Sequence, residues 1–158
     1  MDVIIFGFGR VGLEFIEKAK EKNMSYLAVD YNPEVFKSKR AEGVHYAFGD
    51  VEDVEFLDEI NTCEAKMIIS TIPDFYTNLH VTKHYRHVNT HGVVLVTCHS
   101  VHEAKQLYDA GATYVILPHY LGAYHATEMI AQFDKHPRIF TKARKVQEEQ
   151  IAKHILHS

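Results

Sequence analysis

Val3-Ile4-Ile5-Phe6-Gly7-Phe8-Gly9-Arg10-Val11-Gly12 opens the chain, and its reading decides the fold. A short apolar run, suited to a strand buried on both faces, leads directly into a G-x-G-x-x-G spacing. Beyond it, Val11, Phe15, Ile16 and Ala19 fall on one side of a helix, with Glu14, Glu17, Lys18 and Glu21 on the other. Strand, glycine turn and amphipathic helix, in that order, make the first half of a βαβ unit. Gly7 permits the tight turn, Gly9 lets a phosphate approach the backbone, and Gly12 allows close helix–strand packing. Free N–H groups at the helix start attract an anion there. Arg10 stands at the same place, where its guanidinium reaches a phosphate or simply lies in solvent.

Outward from this stretch, short β-branched runs alternate with helical periodicity. The expected strands are Val3 to Phe6, Tyr26 to Asp30, Val44 to Phe48, Met67 to Ser70, Val93 to Thr97 and Tyr114 to Leu117. Helices are expected over Pro33 to Ala41, Val54 to Ile60, Phe75 to Val88, His102 to Ala110 and Leu121 to Phe133. With right-handed crossovers this is a doubly wound, mostly parallel six-stranded Rossmann sheet with helices on both faces and a helical C-terminal tail. The expected domain is residues 1–133, followed by an extension over 134–158.

Asp30 ends the second strand 18 residues after Gly12, close to where a carboxylate receives the ribose hydroxyls in this fold. It repels a 2′-phosphate, which favours NAD(H), AMP or ADP over NADP(H), although a strand-end turn aspartate gives the same pattern. Lys37, Lys39 and Arg40 read as surface charge. Gly49-Asp50 places a second carboxylate at the crevice edge, available to an adenine amino group or to its own turn amides. Thr71-Ile72-Pro73-Asp74 ends the fourth strand, with Asp74 as the cap of the next helix.

These residues resemble the RCK domain family, also called KTN or TrkA-N. The resemblance rests on Gly7 to Gly12, Val29-Asp30-Tyr31-Asn32-Pro33, Gly49-Asp50, Pro73-Asp74 with Asn78, and Gly111-Ala112, over roughly Met1 to Leu121. The Phe8-Arg10 glycine loop looks most like the Kef-type cation/proton antiporter branch, while Thr97-Cys98-His99 departs from it. The resemblance implies a homodimeric cytoplasmic module at the inner face of the membrane that senses an adenine nucleotide and gates a potassium channel or a cation/proton transporter. By that analogy Gly7, Phe8, Gly9, Arg10 and Val11 bind the phosphates, Asp30 the ribose, Asp50 and Val51 the adenine, and Thr71 and Ile72 form the crevice wall. Gly12 and Tyr31 are expected among the cofactor-binding residues as well.

Composition narrows the alternatives. A net charge of −4 lacks the broad positive field of nucleic-acid binding, so no nucleic-acid partner is expected. Cys63 and Cys98 suit neither a zinc motif nor a disulfide framework, and a reducing cytoplasm is expected. No signal peptide is expected, and the flush start is also that of an excised domain. His80, His84, His87 and His91 align on one helical face with no acid or cysteine among them in sequence, and no metal site is expected. A dehydrogenase needs a second surface for substrate, for which little chain remains. A non-enzymatic binding module is therefore expected, with a small NAD-dependent oxidoreductase, or its cofactor-binding fragment, as the alternative. From Asp134 onward the chain carries six Lys/Arg against three Asp/Glu. A helix from Thr141 to Leu156 there gathers Phe140, Ala143, Ile151 and Ile155 into a stripe that docks on its own domain or on a second subunit.

Overall fold

The computed structural model describes residues 1–37 and 43–156. Its strands are β1 (Val3–Phe6), β2 (Tyr26–Asp30), β3 (Tyr46–Phe48), β4 (Met67–Ser70), β5 (Val93–Thr97) and β6 (Tyr114–Ile116). The helices are α1 (Arg10–Glu21), α2 (Val54–Glu59), α3 (Phe75–Val88), α4 (Val101–Asp109), α5 (Pro118–Gln132) and α6 (Ile139–Leu156). The chain forms two compact units, Met1–Pro118 and His119–Ser158.

In the first unit all strand pairings are parallel and the order is β3-β2-β1-β4-β5-β6. The chain builds outward from β1 to β3, then returns to β1's other side for β4. That reversal beside β1 is where a crevice opens at the carboxyl ends of the strands. β1 is buried throughout, as its uninterrupted apolar run requires. Its side chains alternate between two cores. Ile4 and Phe6 pack with Leu57, Val81, Tyr85 and Leu107 from α2, α3 and α4, whereas Val3 and Ile5 pack with Ile16, Ala19 and Phe36 on the α1 face. Helices thus cover both faces of the sheet.

The differences from expectation lie at element ends. β3 begins at Tyr46 rather than Val44; it is an edge strand with a single neighbour, and Val44 packs into the α1-side core instead. After Pro33 the described structure is one 3₁₀ stretch, Pro33–Lys37. The rest of that expected helix, with Lys39 and Arg40, lies outside the described residues. α4 begins at Val101 because the Ser100 hydroxyl accepts the Glu103 amide at 3.2 Å and caps it there. Pro118 ends β6 one residue short of the expected Leu117 and starts α5, since it lacks the N–H a ladder needs and suits a first helical position.

In the second unit, Tyr120, Leu121, Tyr124 and Ile130 of α5 are exposed, as are Val146 and Ile151 of α6. The two helices are joined by a turn in which the His136 amide donates to the Gln132 carbonyl at 2.9 Å. Phe133 and Phe140 meet across that turn with ring centroids 5.8 Å apart. Phe140, Ala143, Ile151 and Ile155 of the expected stripe lie on α6.

α1 approaches β1 so closely that a Cβ on Gly12 would lie 1.9 Å from the Gly7 carbonyl oxygen, a backbone atom that cannot swing aside. Gly12→Ala is expected to destabilise the ligand-free protein by about 1–3 kcal/mol, the usual cost of overpacking. A melting temperature within a degree of the parent would show that this packing has slack.

Candidate functional site

The glycine turn is held from both sides. Gly7 adopts φ +94°, a left-handed conformation that glycine tolerates without strain. Its amide donates to the Val29 carbonyl of β2 at 2.8 Å. On the other side the Thr71 amide donates to the Phe6 carbonyl at 2.9 Å, and the Thr71 hydroxyl lies 3.2 Å from Phe6 O and 3.3 Å from Gly7 O. The Phe8 amide donates to Asp30 Oδ2 at 2.8 Å, while the Phe8 ring turns into the core beside Phe36, 5.0 Å between centroids. Strand ends on either side of β1 thus set the loop's shape before any ligand arrives.

The start of α1 differs from its neighbours. Asp53 caps α2 through the Glu55 amide at 2.9 Å, Asp74 caps α3 through the Thr77 amide at 2.8 Å, and Ser100 caps α4. Gly9, at the same position of α1, offers no side-chain cap, and no acidic residue stands in the first turn. The first N–H groups of a helix have no partner within it, and the helix dipole places roughly half a positive charge there. Gly9, Arg10 and Val11 line a crevice of about 950 Å³, so this uncapped end faces an open cavity. Among the described residues Arg10 is exposed and forms no ion pair.

The crevice brings together most residues singled out from sequence: Gly7, Gly9, Arg10 and Val11, then Asp30 and Tyr31, Asp50 and Val51, and Thr71 and Ile72. Phe8 and Gly12 do not line it; the first supplies a core ring and the second a helix–strand contact. Both carboxylate oxygens of Asp30 already accept backbone amides, Oδ2 from Phe8 and Oδ1 from Asn32 at 2.9 Å. Each oxygen has about two acceptor directions, so the turn role and a ribose role are compatible. Asp50 Oδ1 accepts the Glu52 amide at 2.9 Å.

Glu52, Asp74 and Thr77 also line the crevice, and sequence reasoning did not assign them to it. The Thr77 hydroxyl lies 2.8 Å from Glu52 Oε1 and 2.9 Å from Asp74 Oδ1. The Thr77 amide and hydroxyl hold the Asp74 carboxyl below the ordinary carboxylate range. The cap signature of Asp74 was legible, but nothing local pointed Thr77 at a residue on a loop 25 positions earlier.

Neighbouring candidates fall elsewhere. Asn78 is fully buried and donates from Nδ2 to the Ile72 and Thr97 carbonyls, both at 2.8 Å, stitching the end of β4 to that of β5. Cys98, His99 and His102 do not line the crevice, and His99 instead donates its amide to Glu103 Oε2 at 3.3 Å. On α3, His84 Nε2 lies 3.4 Å from Asp58 Oδ1 and 3.5 Å from the Thr62 hydroxyl, so folding supplies the acid that sequence did not place among these histidines. His91 follows the end of α3. Among the described residues no group of three or more His, Cys, Asp or Glu side chains is arranged to hold a metal ion.

A doubly wound parallel sheet with a crevice at its reversal point and an uncapped glycine-turn helix defines the chain as a Rossmann-type α/β module. Residues 3–118 match the TrkA-N domain, and the chain belongs to that family. It is 30% identical over 129 residues, 80% of its length, to "Probable potassium channel protein 2" of Methanocaldococcus jannaschii, of which it spans 38%. The AMP-bound C-terminal domain of a Shewanella denitrificans Kef protein superposes with a TM-score of 0.70 at 15% identity, covering 95% of this chain and 92% of that one. The GsuK channel bound to NAD gives 0.63 at 19% identity, over 74% of this chain and 21% of the channel. These structural likenesses speak to fold. No helix among the described residues is long and apolar enough to cross a membrane.

Burial lowers the pKa of His84, opposed by Asp58 and reinforced by His80 and His87. A depressed folded value means that protonation favours the unfolded chain, so stability is lost as pH falls below the ordinary histidine value of 6.5. The melting temperature is expected to drop between about pH 7.5 and 5.5, and to drop less in His84→Gln. Parallel pH profiles for the two proteins would remove His84 as a contributor.

Proposed function

We propose that this chain is a regulatory module that binds an adenine nucleotide, NAD(H) or AMP/ADP, in the crevice and passes its occupancy to a potassium channel or cation/proton antiporter. The carrying observation is the helix end of α1, left uncapped by any side chain and lined up with Arg10 on an open cavity. A phosphate there receives N–H groups and a guanidinium. Asp30 accepts the ribose hydroxyls, and Val51 and Asp50 flank the base. The ligands of two structural neighbours, AMP in the Kef domain and NAD in the GsuK channel, are of this kind.

Binding without turnover is the reading favoured over an oxidoreductase. Across the reversal point, where a dehydrogenase holds substrate against its nicotinamide, Asn78 closes β4 onto β5, and Cys98, His99 and His102 stay outside the crevice. Output then comes from differential affinity: a ligand that binds one arrangement of the module better shifts the population toward it. The exposed Tyr124, Ile130 and Ile151 of the second unit suit packing on a second copy of the chain. Cytoplasmic placement beside a transporter belongs to the same proposal.

A nucleotide at about 100 times its dissociation constant adds about 2.7 kcal/mol to folding stability, a clear thermal shift. NAD⁺, NADH, AMP or ADP is expected to give it, and silence from all of them would defeat the reading. Asp30→Asn is expected to weaken binding by about tenfold or more, the value of a hydrogen bond to a charged group, measured below the variant's own melting point. Sedimentation is expected to find a dimer that Ile130→Glu dissociates; an unchanged dimer would place the interface elsewhere.

A further inference from the structure

Resting on the nucleotide reading above, we propose that the crevice selects its nucleotide by charge, accepting a monophosphate or a dinucleotide and rejecting a triphosphate, with Glu52 and Asp74 as the rejecting residues. The described wall carries four carboxylates, Asp30, Asp50, Glu52 and Asp74, against one guanidinium, Arg10. None of the five takes part in an ion pair among the described residues. A site for a phosphate-bearing ligand is thus negative over most of its charged wall.

The carboxylates are not equivalent. Asp30 accepts two backbone amides, from Phe8 and Asn32, and Asp50 accepts that of Glu52, so their charges are partly met by their own turns. Glu52 and Asp74 compete for the Thr77 hydroxyl, which lies 2.8 Å from one and 2.9 Å from the other. A hydroxyl has one proton and cannot donate it to both. Asp74 also holds the Thr77 amide at 2.8 Å, which leaves Glu52 as the carboxylate with the least compensation. The Glu52–Thr77 contact joins the loop after β3 to the first turn of α3, and β2 and β1 lie between those strands in the sheet. Glu52, Asp74 and Thr77 thus line the same crevice as Gly9, Arg10 and Val11 at the start of α1, where the phosphates are expected.

AMP carries a charge of about −2, matched by Arg10 and the helix dipole, whereas ATP brings about −4 with no further cation in the described wall. NAD⁺, with two phosphodiesters and a cationic ring, carries only about −1. At separations of several ångströms in a solvated cleft, each extra charge facing a carboxylate costs about threefold in affinity.

The test is calorimetric titration of the full chain with NAD⁺, AMP, ADP and ATP, without divalent cations. Affinity is expected to fall from AMP through ADP to ATP, by about tenfold overall. Raising KCl from about 0.05 M to about 0.5 M is expected to narrow the AMP–ATP gap, because screening relieves repulsion. Glu52→Gln is expected to narrow it by about threefold. The salt series needs no variant and stands even if Glu52→Gln folds poorly. ATP binding as tightly as AMP, or a gap that widens with salt, overturns the charge selection while leaving nucleotide binding intact. Failure of AMP and NAD⁺ alike brings down the nucleotide reading and this inference with it.

Discussion

The contact of Gly12 with the Gly7 carbonyl is the constraint on which the rest of the structure depends. Only a residue without Cβ lets α1 lie this close to the end of β1, and the closeness aims the first turn of α1 into the crevice. The turn that makes it possible is braced by β2 through Val29 and Asp30 and by β4 through Thr71. The loop is therefore shaped by its own fold, and little ordering entropy would remain to oppose binding of the proposed ligand.

Asp30 ties that scaffold to the end of β2. Its carboxylate closes the glycine turn through the Phe8 amide, so the group expected to hold ribose is also part of the loop expected to hold phosphate. Coupling of this kind suits the proposed sensor, in which occupancy at the sugar end of the ligand would be felt in the phosphate loop. The wall opposite carries charge that the ligand must tolerate. On the proposed reading, attraction at α1 and repulsion from Glu52 and Asp74 would make the crevice a comparator of nucleotides.

Much of this was legible in the residues. The apolar run, the glycine spacing and Asp30 at the next strand's end specify strand, turn, helix and strand in a short local stretch, which is where sequence patterns are strongest. The cap role of Asp74 was equally local. Ends governed by neighbours were less legible: β3 shortens because it has one partner, and α5 starts early because Pro118 is a better helix start than a strand end. The histidine face of α3 was read as lacking an acid, since Asp58 reaches His84 only once α2 and α3 lie on the same side of the sheet.

By itself the sequence determined the alternation of strands and helices, the glycine turn and the carboxylate beside it, because each is set by interactions within a few residues or by burial on both faces. Tertiary structure alone decided which strand ends stand side by side at the reversal point, that Thr71 and Asp30 brace one loop from two directions, and that Glu52, Asp74 and Thr77 share a wall. The physical reason is that parallel crossovers join residues distant in the chain, and no periodicity records the distance that folding removes.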